Sequence, residues 1–71
     1  MPASDPIYVD ARGMKCPWPA LRAARAMRTA DAVTVEADDP NAAGELEALT
    51  RQQGWTFSAE ATHRFELKRE Y

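Results

Sequence analysis

Apolar residues recur along this 71-residue chain with a period that switches between strand-like and helix-like, and that switching limits the fold more than any other feature. Ile7 and Val9 lie on one side of a β-prone run, Ile7-Tyr8-Val9-Asp10, which ends at the turn signal Arg12-Gly13. From Pro17 to Thr29 the residues Ala20, Ala23, Ala24 and Met27 fall at helical spacing, while Arg22, Arg25 and Arg28 form a separate row. The first helix is therefore amphipathic and basic on its outer side. Ala32 to Asp38 alternates, with Val33, Val35 and Ala37 opposite Thr34, Glu36 and Asp38, as a second strand does. Asp39-Pro40 offers an N-cap followed by proline at the first helical position, Ala43, Leu46 and Leu49 recur on one face, and Gly54 supplies a stop. A second helix is predicted from Pro40 to Gln53. Trp55, Phe57, Ala59 and Ala61 alternate, as do Phe65 and Leu67, giving a closing hairpin that turns near Thr62-His63.

The order is βαβαββ. Each strand is apolar on one face only, so both helices should cover the same side of a four-stranded sheet, an α+β two-layer sandwich. Right-handed crossovers make the first two strands parallel if they are neighbours, and the terminal hairpin makes the sheet mixed. A chain of this length is expected to be one domain, 1–71, with 1–5 flexible, and any active site should be shallow. A net charge of −2 and a pI near 5.2 argue against nonspecific nucleic-acid or anionic-membrane binding and favour protein partners. No apolar run reaches membrane-span length, and Met1-Pro2-Ala3-Ser4-Asp5 lacks the parts of a signal peptide, so the expected compartment is the cytoplasm.

The single cysteine, Cys16, sits where the first strand hands over to its helix, in Lys15-Cys16-Pro17-Trp18-Pro19. The residue before a proline avoids the αR region, which suits an N-cap, and a thiol there faces the positive end of the helix dipole, which favours thiolate. Pro17 and Pro19 cost little in a first turn whose N–H groups lack partners. The competing reading of Cys16 is a small buried apolar residue. Asp10 is expected to anchor the loop by accepting the N–H groups of Arg12 and Gly13, and Gly13 to permit a tight path beneath the cysteine. Arg12 and Lys15 either stabilise thiolate or are solvated decoration. Trp18 either forms an exposed docking surface or packs against the sheet edge, and Arg22 and Arg25 either meet an acidic partner or are a solvated face.

One Cys and one His among carboxylates fall short of a zinc site, so no metal is expected. Position 19 is proline, which excludes Cys-x-x-Cys chemistry within the chain, and the scattered glycines support no nucleotide cofactor. His63 reads as a turn residue, not as the base of a hydrolase. What survives is a thiolate that accepts or donates a group.

Asp10-x-x-Gly13-x-x-Cys16-Pro17-x-Pro19 resembles the signature of the TusA (SirA-like) family of small sulfur carriers, and Ala37-Asp38-Asp39-Pro40 resembles the family's second landmark. The resemblance spans the βαβαββ order. It implies that Cys16 carries sulfane sulfur as a persulfide, taken from a donor such as a cysteine desulfurase or rhodanese and passed to an acceptor sulfur-relay protein, with no cofactor and as a monomer. Members acting in tRNA thiolation often carry Gly-His where this chain has Gly54-Trp55, so the resemblance leaves the pathway open among tRNA thiolation, molybdenum cofactor supply, sulfur oxidation and selenium metabolism. The rival class is a noncatalytic protein- or RNA-interaction module in which Trp18 and the arginine row bind and Cys16 is packing.

Overall fold

Alternation of apolar and polar residues yields four strands and helical spacing yields two helices: β1 (Ile7–Asp10), α1 (Trp18–Ala26), β2 (Ala32–Glu36), α2 (Ala42–Gln53), β3 (Thr56–Ala61) and β4 (Arg64–Lys68). The computed structural model describes residues 6–69, and the expectation for 1–5 lies outside them. The strands form one mixed sheet in the order β1-β2-β4-β3. β1 runs parallel to β2 with Val9 opposite Val35, while β2/β4 and β4/β3 are antiparallel. α1 is the crossover that joins these two parallel strands, a connection whose strong right-handed preference comes from the twist of the strands that it links.

Both helices cover the same face. Val9, Val33, Val35, Phe65 and Leu67 project from the sheet into the core that Ala23 and Met27 of the α1 segment and Ala42 and Leu46 of α2 close from above. Phe57 stacks on Phe65 with ring centroids 5.9 Å apart, extending this core to β3. Thr50, the buried polar side chain in α2, is satisfied by donating to the Glu47 carbonyl at 2.7 Å.

Element ends differ from the sequence reading by a few residues, for local reasons. β2 ends at Glu36 where its partner β4 begins: the Ala37 N–H still donates to the His63 carbonyl at 2.9 Å, but His63 already belongs to the β3–β4 turn. α2 begins at Ala42 with Asn41 as its N-cap, because Asp39 spends its carboxylate on the Asn41 N–H in an Asx turn (2.8 Å) instead of capping a helix that starts at Pro40. Gly54 closes α2 in the left-handed conformation (φ 77°), as expected of a C-terminal stop. The hairpin turns at Thr62-His63, with an irregularity between Ala59 and Ala61 that shifts the β3 register.

Parallel pairing of β1 and β2 has one decisive consequence. The segments that leave these strands, 11–17 and 37–41, emerge at the same end of the sheet, where the Ala11 N–H still pairs with the Glu36 carbonyl at 2.7 Å.

Candidate functional site

Cys16 is exposed at that end, and the segment after β2 fixes its backbone. Gly13, in the left-handed region at φ 81°, turns the chain after β1 so that its N–H reaches Asp38 Oδ1 at 2.9 Å. Three residues on, the Cys16 N–H donates to Asp39 Oδ2 at 2.7 Å, while Asp39 Oδ1 holds Asn41. Those two N–H donors keep the Asp39 carboxyl below its ordinary pKa, with the Lys15 charge adding to the effect. Gly13, Met14 and Lys15 with Asp38, Asp39 and Pro40 line a shallow open depression beside the cysteine.

The N-cap expectation for Cys16 is overturned. The Trp18 N–H donates to the Lys15 carbonyl at 2.8 Å, and the Cys16–Pro17 peptide bond is cis, so Cys16 and Pro17 are the corner residues of a tight turn that precedes the helix. Pro17 is the N-cap (φ −101°, ψ 19°), makes no side-chain cap bond, and offers its carbonyl to the Leu21 N–H at 3.1 Å. Pro19, in the first turn of α1, is buried.

The expected stabilisation of thiolate is overturned as well. The Cys16 thiol donates to Glu45 Oε2 on α2. That hydrogen bond, partial desolvation and the negative charges of Glu45 and Asp39 all raise the thiol pKa above its ordinary value. The surroundings of the thiol thus favour its neutral form over thiolate, opposite to the direction a helix N-terminus would give. Burial of Cys16 as a packing residue is equally excluded by its exposure.

Arg12 does not reach the thiol. Its guanidinium binds both oxygens of Asp10 (2.9 and 3.0 Å) and lies 3.9 Å from Glu36. Asp10 accepts the Arg12 N–H at 3.2 Å as expected, but the Gly13 N–H goes to Asp38. With its pKa held near 2 by Arg12, Asp10 stays ionised. Trp18 is 57% exposed and Leu21 51%, and Trp18, Arg22 and Arg25 share the outer face of α1. Arg22 and Arg25 also line a groove with Tyr8, Asp10 and Thr29 along the β1 edge. His63 sits in the β3–β4 turn. Among the described residues no three His, Cys, Asp or Glu side chains are grouped to hold a metal ion, and no helix is long and apolar enough to cross a membrane.

Sequence reasoning missed Asp38, Asp39 and Glu45 as members of this site. The Asp38-Asp39-Pro40 landmark was a signal for the first two, although it reads locally as the start of a helix. Glu45 carries no local signal, being 29 positions from Cys16.

Two proteins of Neisseria meningitidis, one from serogroup A and one from serogroup B, each named "Putative sulfur carrier protein", are 47% identical to the chain over 49 residues, 65% of this chain. The aligned stretch spans 66% of each relative, just under two thirds of its length. The family model described as Sulfurtransferase TusA matches residues 7–69, which takes in every strand and helix together with the Cys16 loop and both aspartates that hold it, and the chain belongs to the TusA family.

Proposed function

We propose that the protein is a sulfur carrier that accepts sulfane sulfur on Cys16 as a persulfide and passes it to an acceptor protein. The observation that carries this reading is a solvent-exposed, unpaired cysteine on a turn fixed by Asp38 and Asp39, in a chain of this family. In the loading step the Cys16 thiol gives its proton to solvent and Sγ attacks the outer sulfur of a donor persulfide. The new Sγ–S bond forms as the donor's S–S bond breaks, and the donor thiolate leaves and takes up a proton. Sulfur moves at constant oxidation state, so no external oxidant or cofactor takes part. Unloading is the same exchange with an acceptor thiolate attacking the sulfur carried on Cys16.

The shallow setting suits exchange between proteins, with a cysteine desulfurase or rhodanese as donor and a relay protein as acceptor. Trp18, Arg22 and Arg25, on the α1 face that follows the turn, supply the docking surface, Trp18 as an exposed aromatic anchor and the arginines against acidic groups. The chain acts as a monomer in a reducing compartment such as the cytoplasm, where a lone thiol stays free. Gly13, Pro17 and Pro19 shape the turn, and Asp10 with Arg12 fixes its approach.

Incubation with a cysteine desulfurase and cysteine should add the mass of one sulfur atom, measured on the intact protein, and Cys16→Ala should abolish the gain. Absence of the adduct with desulfurase and rhodanese donors alike refutes the proposal and leaves a noncatalytic module that binds through Trp18 and the arginine row.

A further inference from the structure

The charges around Cys16 are arranged against a free thiolate. From α2, Glu45 accepts a hydrogen bond from the thiol; from the segment after β2, Asp39 holds the Cys16 N–H; Asp38 stands beside them on Gly13. Lys15 is the cation of the cysteine's own loop and acts on Asp39, while Arg12 is turned away onto Asp10 and Glu36. A carboxylate bonded to a thiol stabilises the protonated form and repels the ionised one. Asp39 is committed to two backbone N–H groups, whereas Glu45, among the described residues, makes no ion pair and is only half-buried. Glu45 is partly exposed, so a cation arriving from outside can pair with it.

We infer that Glu45 holds the Cys16 thiol protonated in the free chain, and that a cationic side chain of the exchange partner, by pairing with the Glu45 carboxylate, releases the thiol for attack. This rests on the sulfur-carrier reading for the identity of the exchange. Docking then replaces the Sγ–H···Oε2 bond with a Glu45–cation pair, the thiol proton leaves to solvent, and Sγ attacks the partner's sulfane sulfur as written above. A partner without a cation beside its reactive sulfur meets a neutral thiol. Selectivity among sulfur donors thus comes from charge as well as from shape.

Two measurements on the full chain test this without any sulfur donor. The first is the pH profile of Cys16 alkylation by iodoacetamide. Glu45→Gln should lower its inflection, and alkylation at pH 7 should quicken about threefold for each unit of that fall, tenfold more thiolate being set against a less nucleophilic sulfur. Glu45→Asp, which keeps the charge on a shorter arm, should fall between. The second is thiol–disulfide exchange of the unmodified protein with cystamine, hydroxyethyl disulfide and dithiodipropionate, which are cationic, neutral and anionic. Cystamine should outpace dithiodipropionate by about tenfold at low salt beyond their ratio with a free thiol, with the advantage shrinking as salt rises. An unchanged or raised inflection in folded Glu45→Gln overturns the inference. So does equal reaction with the two charged disulfides, which needs no variant to fold. Failure of sulfur loading would sink the carrier reading and leave both of these results standing.

Discussion

Leu46→Ala tests whether α2 is held on the sheet by its buried face, and therefore whether Glu45, one residue earlier, is held where the thiol meets it. Leu46 is fully buried, and four of the eleven residues in the hydrophobic core cluster are alanines, so seven larger side chains fill most of this core. Removing a buried leucine beyond its β-carbon costs about 2–5 kcal/mol, depending on how far the cavity collapses. Ala42, one turn before Leu46 on the same buried face, has no side chain to reach into the void, which places the loss near the middle of that range, about 3 kcal/mol. A chain this size has a total stability of roughly 4–11 kcal/mol. The variant should therefore melt about 12–24 °C lower, at some 4–8 °C per kcal/mol. Thermal unfolding followed by circular dichroism measures this, with Leu21→Ala as the matched control. Leu21 is the same residue type on the outer face of α1, 51% exposed, and its truncation should change stability by no more than about 0.5 kcal/mol. Equal shifts in the two variants would refute the placement of α2 over the core.

Gly54→Ala should destabilise by about 1–2 kcal/mol, because the φ of 77° that ends α2 is a left-handed conformation and nothing lies within 4 Å of the added carbon to complicate the effect. Urea unfolding measures it, and Gly54→Asn should lose less. Asp10 should titrate with a midpoint near 2 by carboxyl chemical shift, moving toward 3.8 in Arg12→Ala. Because the folded value is depressed, whatever stability the pair contributes is fully present above the ordinary carboxylate range and lost as pH falls toward 2. A wild-type midpoint near 3.8 would show that the pair does not form.

The elements were legible wherever side-chain period reports burial. Val33 and Val35, or Phe65 and Leu67, alternate because every second residue of a strand meets the helices, and Leu46 recurs with Leu49 because one stripe of α2 meets the sheet, although Ala42 and Thr50 complete that stripe and Ala43, expected on it, is exposed. The start of α1 was not legible, because Pro17 satisfies two local rules at once. Its fixed φ suits a first helical turn and also the corner of a tight turn, and the Trp18 N–H bond to Lys15 decides for the corner. The partner of Arg12 is not legible for a related reason. Its sequence position leaves open whether it serves Cys16 or solvent, whereas β1/β2 pairing sets Glu36 beside Asp10, and the guanidinium follows the two carboxylates.

The ionisation of Cys16 shows why a rule drawn from helix termini fails at this site. A reactive cysteine on a turn needs its backbone fixed, and fixing a backbone N–H requires an acceptor. Charged carboxylates give the strongest such bonds, and the parallel strands deliver Asp38 and Asp39 to the right end of the sheet for Gly13 and Cys16. The thiol pKa is raised chiefly by its hydrogen bond to Glu45, with the charge of Asp39, which fixes the Cys16 N–H, adding a smaller part. The kinetic cost is smaller than the loss of thiolate implies. Each unit by which a thiol pKa rises above the working pH removes tenfold of the thiolate but returns about threefold in nucleophilicity, since reactivity in thiol exchange follows basicity with a slope near one half. A carrier that must hold its sulfur until the right acceptor arrives loses little by such a setting. It gains a thiol whose reactivity depends on what the partner brings to Glu45.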